Sequence, residues 1–209
     1  MATSINTNYG AAVALQNLNA TNAMLERTQN RVSTGLKVGS AKDNGAIYAI
    51  ATTQRANMGA MDAVRNSLQR GQSIVDVALA AGDTITAALE EMKSLAVSIQ
   101  SSVAGSASET SYLADFNALG KEIDAALKGA TFDGVNLWNT TTATNITTNV
   151  SGGTYQIGFG TVDKAAAASV VAVSAGTAVR AGATTAIVDT AIATITADLA
   201  TIGTQSKSV

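Results

Sequence analysis

Side chains able to do chemistry are sparse in this chain, and the most versatile ones are missing. Among its 209 residues there is no His and no Cys. The commonest general base and metal ligand is therefore absent, as are a thiol nucleophile, a zinc knuckle and a disulfide framework. Ser and Thr are plentiful, but a hydroxyl needs a nearby base before it attacks anything. Lys42 near Ser40 and Lys93 beside Ser94 are the pairs that could supply one, and both lie in helical or joint-like sequence. The carboxylates of Glu90, Glu91, Asp115, Glu122 and Asp124 fall on helix faces, where solvated charge explains them better than a metal. Trp138, Tyr155 and Phe159 could form a sugar-binding platform, although three aromatics beside strand-like sequence more often make a small core. Asn139, Asn145 and Asn149 each begin an Asn-x-Ser/Thr triplet, a weak motif in a Thr-rich stretch. No catalytic, cofactor or metal site is assigned, and no enzyme is expected.

The elements that carry these residues follow from apolar spacing. Leu15, Leu18, Leu25, Val32 and Leu36 recur at helical intervals near the N-terminus, with Asn22 and Gln29 filling the polar steps. A second run holds Met61, Val64, Leu68, Gly71, Val75, Ala78, Gly82, Ile85, Leu89, Met92, Ala96 and Ile99 at alternating steps of three and four. A 3.5-residue repeat kept this long predicts a coiled-coil-like seam. The helix from 44 to about 101 would be about 85 Å long. Glycines 59, 71 and 82 interrupt it at about 1 kcal/mol each relative to Ala, a cost offset only where a neighbour packs closely. A polar turn at 101–106 leads to another helix with Leu113, Phe116, Gly120, Ile123 and Leu127, for which Ser108 or Ser111 is the expected cap. Asp133-Gly134 signals a turn. Tyr155, Ile157 and Phe159 alternate with polar or Gly positions, predicting one or two β-hairpins, and 165–175 is ambiguous between strand and helix. Val188, Ile192, Ile195, Leu199 and Ile202 form a third seam, the expected partner of the long one.

Composition narrows the class of protein. Charged residues make up 13% of the chain and the net charge is −2. An average soluble domain has about 25% charged residues, so the surface is small and neutral, suiting either a subunit covered by neighbours or a bland secreted protein. Nucleic acid is not an expected partner, because phosphate binding needs clustered Lys and Arg. The start of the chain lacks the basic, apolar and small-residue parts of a secretory signal. No stretch has the 18 or more consecutive apolar residues of a membrane span, so no membrane partner is expected.

The most specific stretch lies between the first two seams. Arg31-Val32-Ser33-Thr34-Gly35-Leu36-Lys37-Val38-Gly39-Ser40-Ala41-Lys42-Asp43-Asn44 resembles the joint of the bacterial flagellins, roughly R-(I/V)-S-(S/T)-G-L-(R/K)-(I/V)-x-(S/T)-A-K-D-(D/N). Ser4-Ile5-Asn6-Thr7-Asn8 is similar to the flagellin start, and Phe132-Asp133-Gly134-Val135-Asn136-Leu137 to a segment leading into the family's β region. In this joint Asp43 is the expected cap of the long helix.

The resemblance implies a mainly α fold of long coiled-coil-like helical hairpins with a small β-hairpin insertion. On that plan residues 1–43 are an N-terminal assembly helix and joint, and 44–138 the N-terminal part of a core helical domain. Residues 139–178 are a β-rich variable insertion and 179–209 a returning core helix. The implied function is a structural subunit that polymerises into the extracellular flagellar filament, exported through the type III channel. Implied partners are other copies of the subunit, an export chaperone and a filament cap. Leu15, Leu18, Leu25, Val32 and Leu36 would be the assembly seam. A hook–filament junction protein and a flagellin-like cell-surface polysaccharide receptor are the alternatives. Many flagellins also carry L-Q-R-(V/M)-R-E-L-A-V-Q, read by the Toll-like receptor that senses them. Leu89, Glu91, Met92, Lys93 and Leu95 occupy that frame here, with Glu91 reversing the first Arg, so weak receptor activation is expected. Flagellins end in one more helix paired with the N-terminal one; the present sequence stops at Val209 before such a segment, and an unpaired, non-polymerising form is the expectation that follows.

Overall fold

The computed structural model describes residues 8–140, 142–159 and 168–208. Five α-helices account for most of them: α1 (Tyr9–Thr34), α2 (Gly45–Ser101), α3 (Ala107–Gly129), α4 (Ala168–Ser174) and α5 (Thr185–Ser208). Between α3 and α4 come a 3-10 turn (Leu137–Asn139) and the antiparallel strands β1 (Thr144–Thr147) and β2 (Thr154–Ile157). The chain divides into two compact units, residues 1–59 and 60–209. This is the mainly helical fold with a small β-hairpin that the resemblance implies.

Local chemistry explains where the helices begin. The expected cap on α2 is corrected: Asn44 fills it, its Oδ1 accepting the Ile47 N–H at 3.1 Å. Asp43 instead ties the joint to itself, its Oδ2 accepting from Gly39 N and Ser40 Oγ at 3.3 Å each. On α3 the cap is Ser106 rather than Ser108 or Ser111; its Oγ accepts the Glu109 N–H at 3.2 Å. Both shifts have one cause. A cap must sit in extended backbone one residue before the helix, and residue type alone does not choose among adjacent polar candidates. The ambiguous stretch after residue 165 is helical from Ala168, in α4.

In the second unit the buried apolar residues form one continuous cluster drawn from α2, α3, α4, α5 and the β-hairpin. Glycines make its closest approaches possible. A Cβ on Gly82 would collide with Leu199 of α5 and with the Trp138 ring, and one on Gly71 would enter the Ile146 side chain of β1. These two glycines therefore mark packing positions, whereas Gly59 faces open space. On α3, Gly120 lies against the backbone of Val173 and Gly176.

The turn after α3 positions the centre of this core. Asp133 (φ 50°) and Gly134 (φ 76°) make a two-residue connection with both central residues left-handed, and Phe132 and Val135 exchange N–H···O bonds of 2.9 Å across it. Such a mirror-image turn favours Gly and Asp or Asn. Next, Asn136 donates from Nδ2 to the Leu127 carbonyl at 2.7 Å, and its Oδ1 accepts the Trp138 N–H at 2.9 Å. The indole is thereby set into the core, where its Nε1 donates to the Ala78 carbonyl of α2 at 2.9 Å. Phe159 lies beside it, ring centres 5.6 Å apart. In the hairpin, Thr144, Ile146, Tyr155 and Ile157 share the inward face, while Asn145 and Gln156 are exposed.

The buried face of α5 is broader than the seam drawn from its aliphatic residues. Val188, Ala191, Ile195, Asp198 and Ile202 are buried, while Ile192 and Leu199 pack partly buried against the core. By length and hydropathy α5 is apolar enough to cross a membrane; here Val188, Ala191, Ile195 and Ile202 are enclosed by the protein core.

Candidate assembly surface

The residues that could carry chemistry stay apart. Lys93 is paired with Asp189 of α5 at 2.6 Å, with both side chains half exposed. Ser40 donates to Asp43, and Lys42 is exposed. Glu90, Glu91, Asp115 and Glu122 are exposed, and Asp124 pairs with Lys128 one turn on at 2.8 Å. No group of three His, Cys, Asp or Glu among the described residues could hold a metal. The aromatics make a core, not a platform: Trp138 is fully buried with its N–H already used. That removes the sugar-binding reading of this trio.

What the molecule offers to others is an apolar surface on α1 and the start of α2. From residue 8 to residue 59 nothing is buried. Leu15, Leu18, Leu25 and Val32 are 60%, 56%, 54% and 79% exposed, and Leu36 is 37% exposed. Ile47, Ile50 and Met58 extend the exposed apolar set along α2. Scattered surface leucines are ordinary. A run of them along a helix with no internal partner is different, because helices in water draw most of their stability from packing an apolar face. The helix itself is well made. Asn8 caps it, accepting the Ala11 N–H at 3.2 Å, and Gly35 closes it in the left-handed conformation (φ 66°). The joint then folds beside the last turns of α1 around an open cleft lined by Arg27, Arg31, Thr34, Leu36, Ser40 and Asp43.

Along α2 the seam residues change environment with position. Met61 is 64% exposed and Val64 and Leu68 are half buried, whereas Val75, Ile85, Leu89, Met92 and Ile99 are fully enclosed. In the receptor-like frame, Leu89 and Met92 point into the core and Leu95 is half buried. Glu91 and Lys93 remain at the surface, where Asp189 partners Lys93. Sequence reasoning missed Asp189, because nothing in the spacing of α5 says which residue of α2 it will meet.

Among the described residues, long amphipathic helices, a continuous apolar core and a first helix with exposed apolar residues define a class of helical protein with surface left for partners. The comparisons identify which. The bacterial flagellin N-terminal helical region matches residues 5–143. Over 207 residues the chain is 45% identical to flagellin FljM of Caulobacter vibrioides, covering 99% of this chain and 76% of the relative. Flagellin FljN of the same organism is 53% identical over 140 residues, 67% of this chain and 51% of FljN. A flagellin of Brucella melitensis is 36% identical over 136 residues, 65% of this chain and 48% of the relative. The chain belongs to the bacterial flagellins. It is a structural subunit of the extracellular flagellar filament, not an enzyme, and its copies assemble with one another.

Proposed function

We propose that residues 8–59 are the assembly element of this flagellin and that the exposed apolar line through Leu15, Leu18, Leu25 and Val32 is buried against neighbouring copies. The observation that carries this is the absence of any buried residue from 8 to 59, whereas the second unit has a continuous buried core of its own. Fully burying a Leu or Val side chain contributes about 1.5–3 kcal/mol, so covering the exposed parts of these four gives assembly a favourable apolar term at each position. Hydrogen exchange tests it directly. Amides of residues 9–59 are expected to exchange rapidly in the free subunit and slowly in the filament, with residues 74–99 protected in both. Equal rates for 9–59 in the two states would sink the assignment.

An export chaperone and a filament cap are proposed partners of the same surface, since an apolar helix in transit needs cover until a neighbouring copy supplies it.

The exposed edge of α2 bears on immune sensing. Glu91 puts a negative charge where the recognised pattern has Arg, and Asp189 neutralises Lys93 beside it. A like-charge mismatch at an interface costs several kcal/mol. The protein is therefore expected to be a weak agonist of the flagellin-sensing Toll-like receptor in a reporter line. Glu91→Arg should raise its potency about tenfold or more. Potent activation by the unaltered chain would overturn this reading.

A further inference from the structure

Two acidic residues, Glu109 and Asp198, are buried among the described residues, and Glu109 faces a cation drawn from a distant part of the chain. Glu109 is 6% exposed in the first turn of α3. Arg180, in the connection between α4 and α5, places Nη1 2.8 Å from Glu109 Oε1. The same guanidinium donates to the Ser102 carbonyl at 3.1 Å and, through Nη2, to the Gln100 carbonyl at 2.8 Å. The second carboxylate oxygen of Glu109 accepts the Gly105 N–H in the turn between α2 and α3. A helix end leaves its last carbonyls without helical partners, and Arg180 takes that of Gln100 in the last turn of α2 together with the Ser102 carbonyl just past it. One arginine thus joins the end of α2, the start of α3 and the connection leading into α5.

We propose that Glu109 and Arg180 form an acid-releasable latch: protonation of Glu109 frees the 102–106 turn and residues 179–182 while the helical core stays folded. The release is local because other contacts bracket it. On one side Asn117 exchanges two hydrogen bonds with the backbone of Ala178, at 2.7 and 3.0 Å. On the other, Ala183 is buried in the core. Between them Val179 is exposed, as is Val103 in the turn, so neither stretch has an apolar anchor of its own.

The charge facing Glu109 is the guanidinium of Arg180. The end of α2 presents the carbonyls of Gln100 and Ser102 and the Ser102 hydroxyl, and the turn presents the Gly105 N–H. The hydrogen bond from Arg180, followed by that from Gly105, holds the Glu109 carboxyl below the usual carboxylate range, against the upward push of burial. A carboxyl lowered in the folded state stabilises it above the unfolded value, about 4.3 for Glu. That contribution is lost as pH falls through the lower, folded value. The latch is therefore closed at neutral pH and opens in acid.

Residue-resolved amide shifts and hydrogen-exchange protection, followed from pH 6 to pH 2 on the full chain, test this. The Gly105 amide is expected to show one titration step, on the acid side of an ordinary Glu side chain, and to lose about tenfold or more of its protection across it, while Ile85, Leu89 and Met92 keep theirs. Glu109→Gln should abolish the step and leave Gly105 weakly protected at every pH. Arg180→Lys, which keeps the charge but not the forked donor, should move the step upward. The proposal is overturned if Gly105 loses protection together with the core amides, or if the step persists in Glu109→Gln. Should Glu109→Gln fail to fold, the Arg180→Lys titration decides: an upward shift supports the latch, and an unchanged step overturns it.

Discussion

Trp138→Ala is expected to lower the unfolding free energy of the second unit by about 3–5 kcal/mol, the range for deleting a fully buried large aromatic. Native domains hold about 5–15 kcal/mol in total, so the variant sits near the edge of folding. The cost is high because the indole is held on three sides. Asn136 fixes its backbone, Ala78 accepts its N–H, and Gly82 and Phe159 form its walls. Its removal leaves a cavity against the α2–α5 contact that neighbouring backbone is poorly placed to fill. Trp138→Phe should cost less, since the Ala78 carbonyl lies inside α2 and keeps the helical partner four residues on. Urea unfolding followed by far-ultraviolet circular dichroism measures both. A loss under about 1 kcal/mol for Trp138→Ala would show that the site collapses without penalty. Because this is the chain's single Trp, the red shift of its fluorescence reports unfolding of the unaltered core at one known place.

Charge on the exposed seam is expected to leave folding intact and stop assembly. Leu18 and Leu25 are both more than half exposed, and surface substitutions of this kind change stability by about 0.5 kcal/mol or less. In a filament the same positions would be covered. Leu18→Asp with Leu25→Asp removes about 1.5–3 kcal/mol of apolar burial at each site and adds the cost of desolvating a carboxylate without a partner. Repeated in every copy, the loss compounds along the polymer. Made in the chain carrying a family-type C-terminal helix, the double variant should match its parent in thermal unfolding of the second unit and fail to add to filament seeds in a sedimentation assay. Growth at the unaltered rate would place the assembly contacts elsewhere. Leu18→Ile with Leu25→Ile, which keeps the apolar surface, should still grow.

The two results together separate the roles of the two units. Trp138 acts on stability and has no surface to offer a neighbour. Leu18 and Leu25 offer surface and touch no core. Gly82 shows how closely the core is drawn: any side chain there meets Leu199 and the indole at once. Gly59, in the same helix with open space around it, carries no such constraint. The sequence could not tell these two glycines apart, because the reason for one of them is supplied by residues 138 and 199.

Periodicity alone determined much of this protein. Apolar residues at steps of three and four marked the long helices and the α5 seam, since a helix that must bury one face repeats its apolar residues at its own turn. The 31–44 stretch marked the joint and the family, and the lack of His and Cys turned the reading away from catalysis. What periodicity leaves open is anything settled by a partner outside the local window. It placed Asp43 at the cap of α2 where Asn44 sits, because the two side chains are equally able and only the backbone path divides them. It missed the burial of Asp198, since a carboxylate on a seam reads as a surface residue. It also missed the Arg180 clasp, whose groups lie 71 to 80 residues apart. Local pattern records which face of an element must be hidden; only the tertiary fold decides what hides it, because that choice rests on shape and charge brought together from distant parts of the chain.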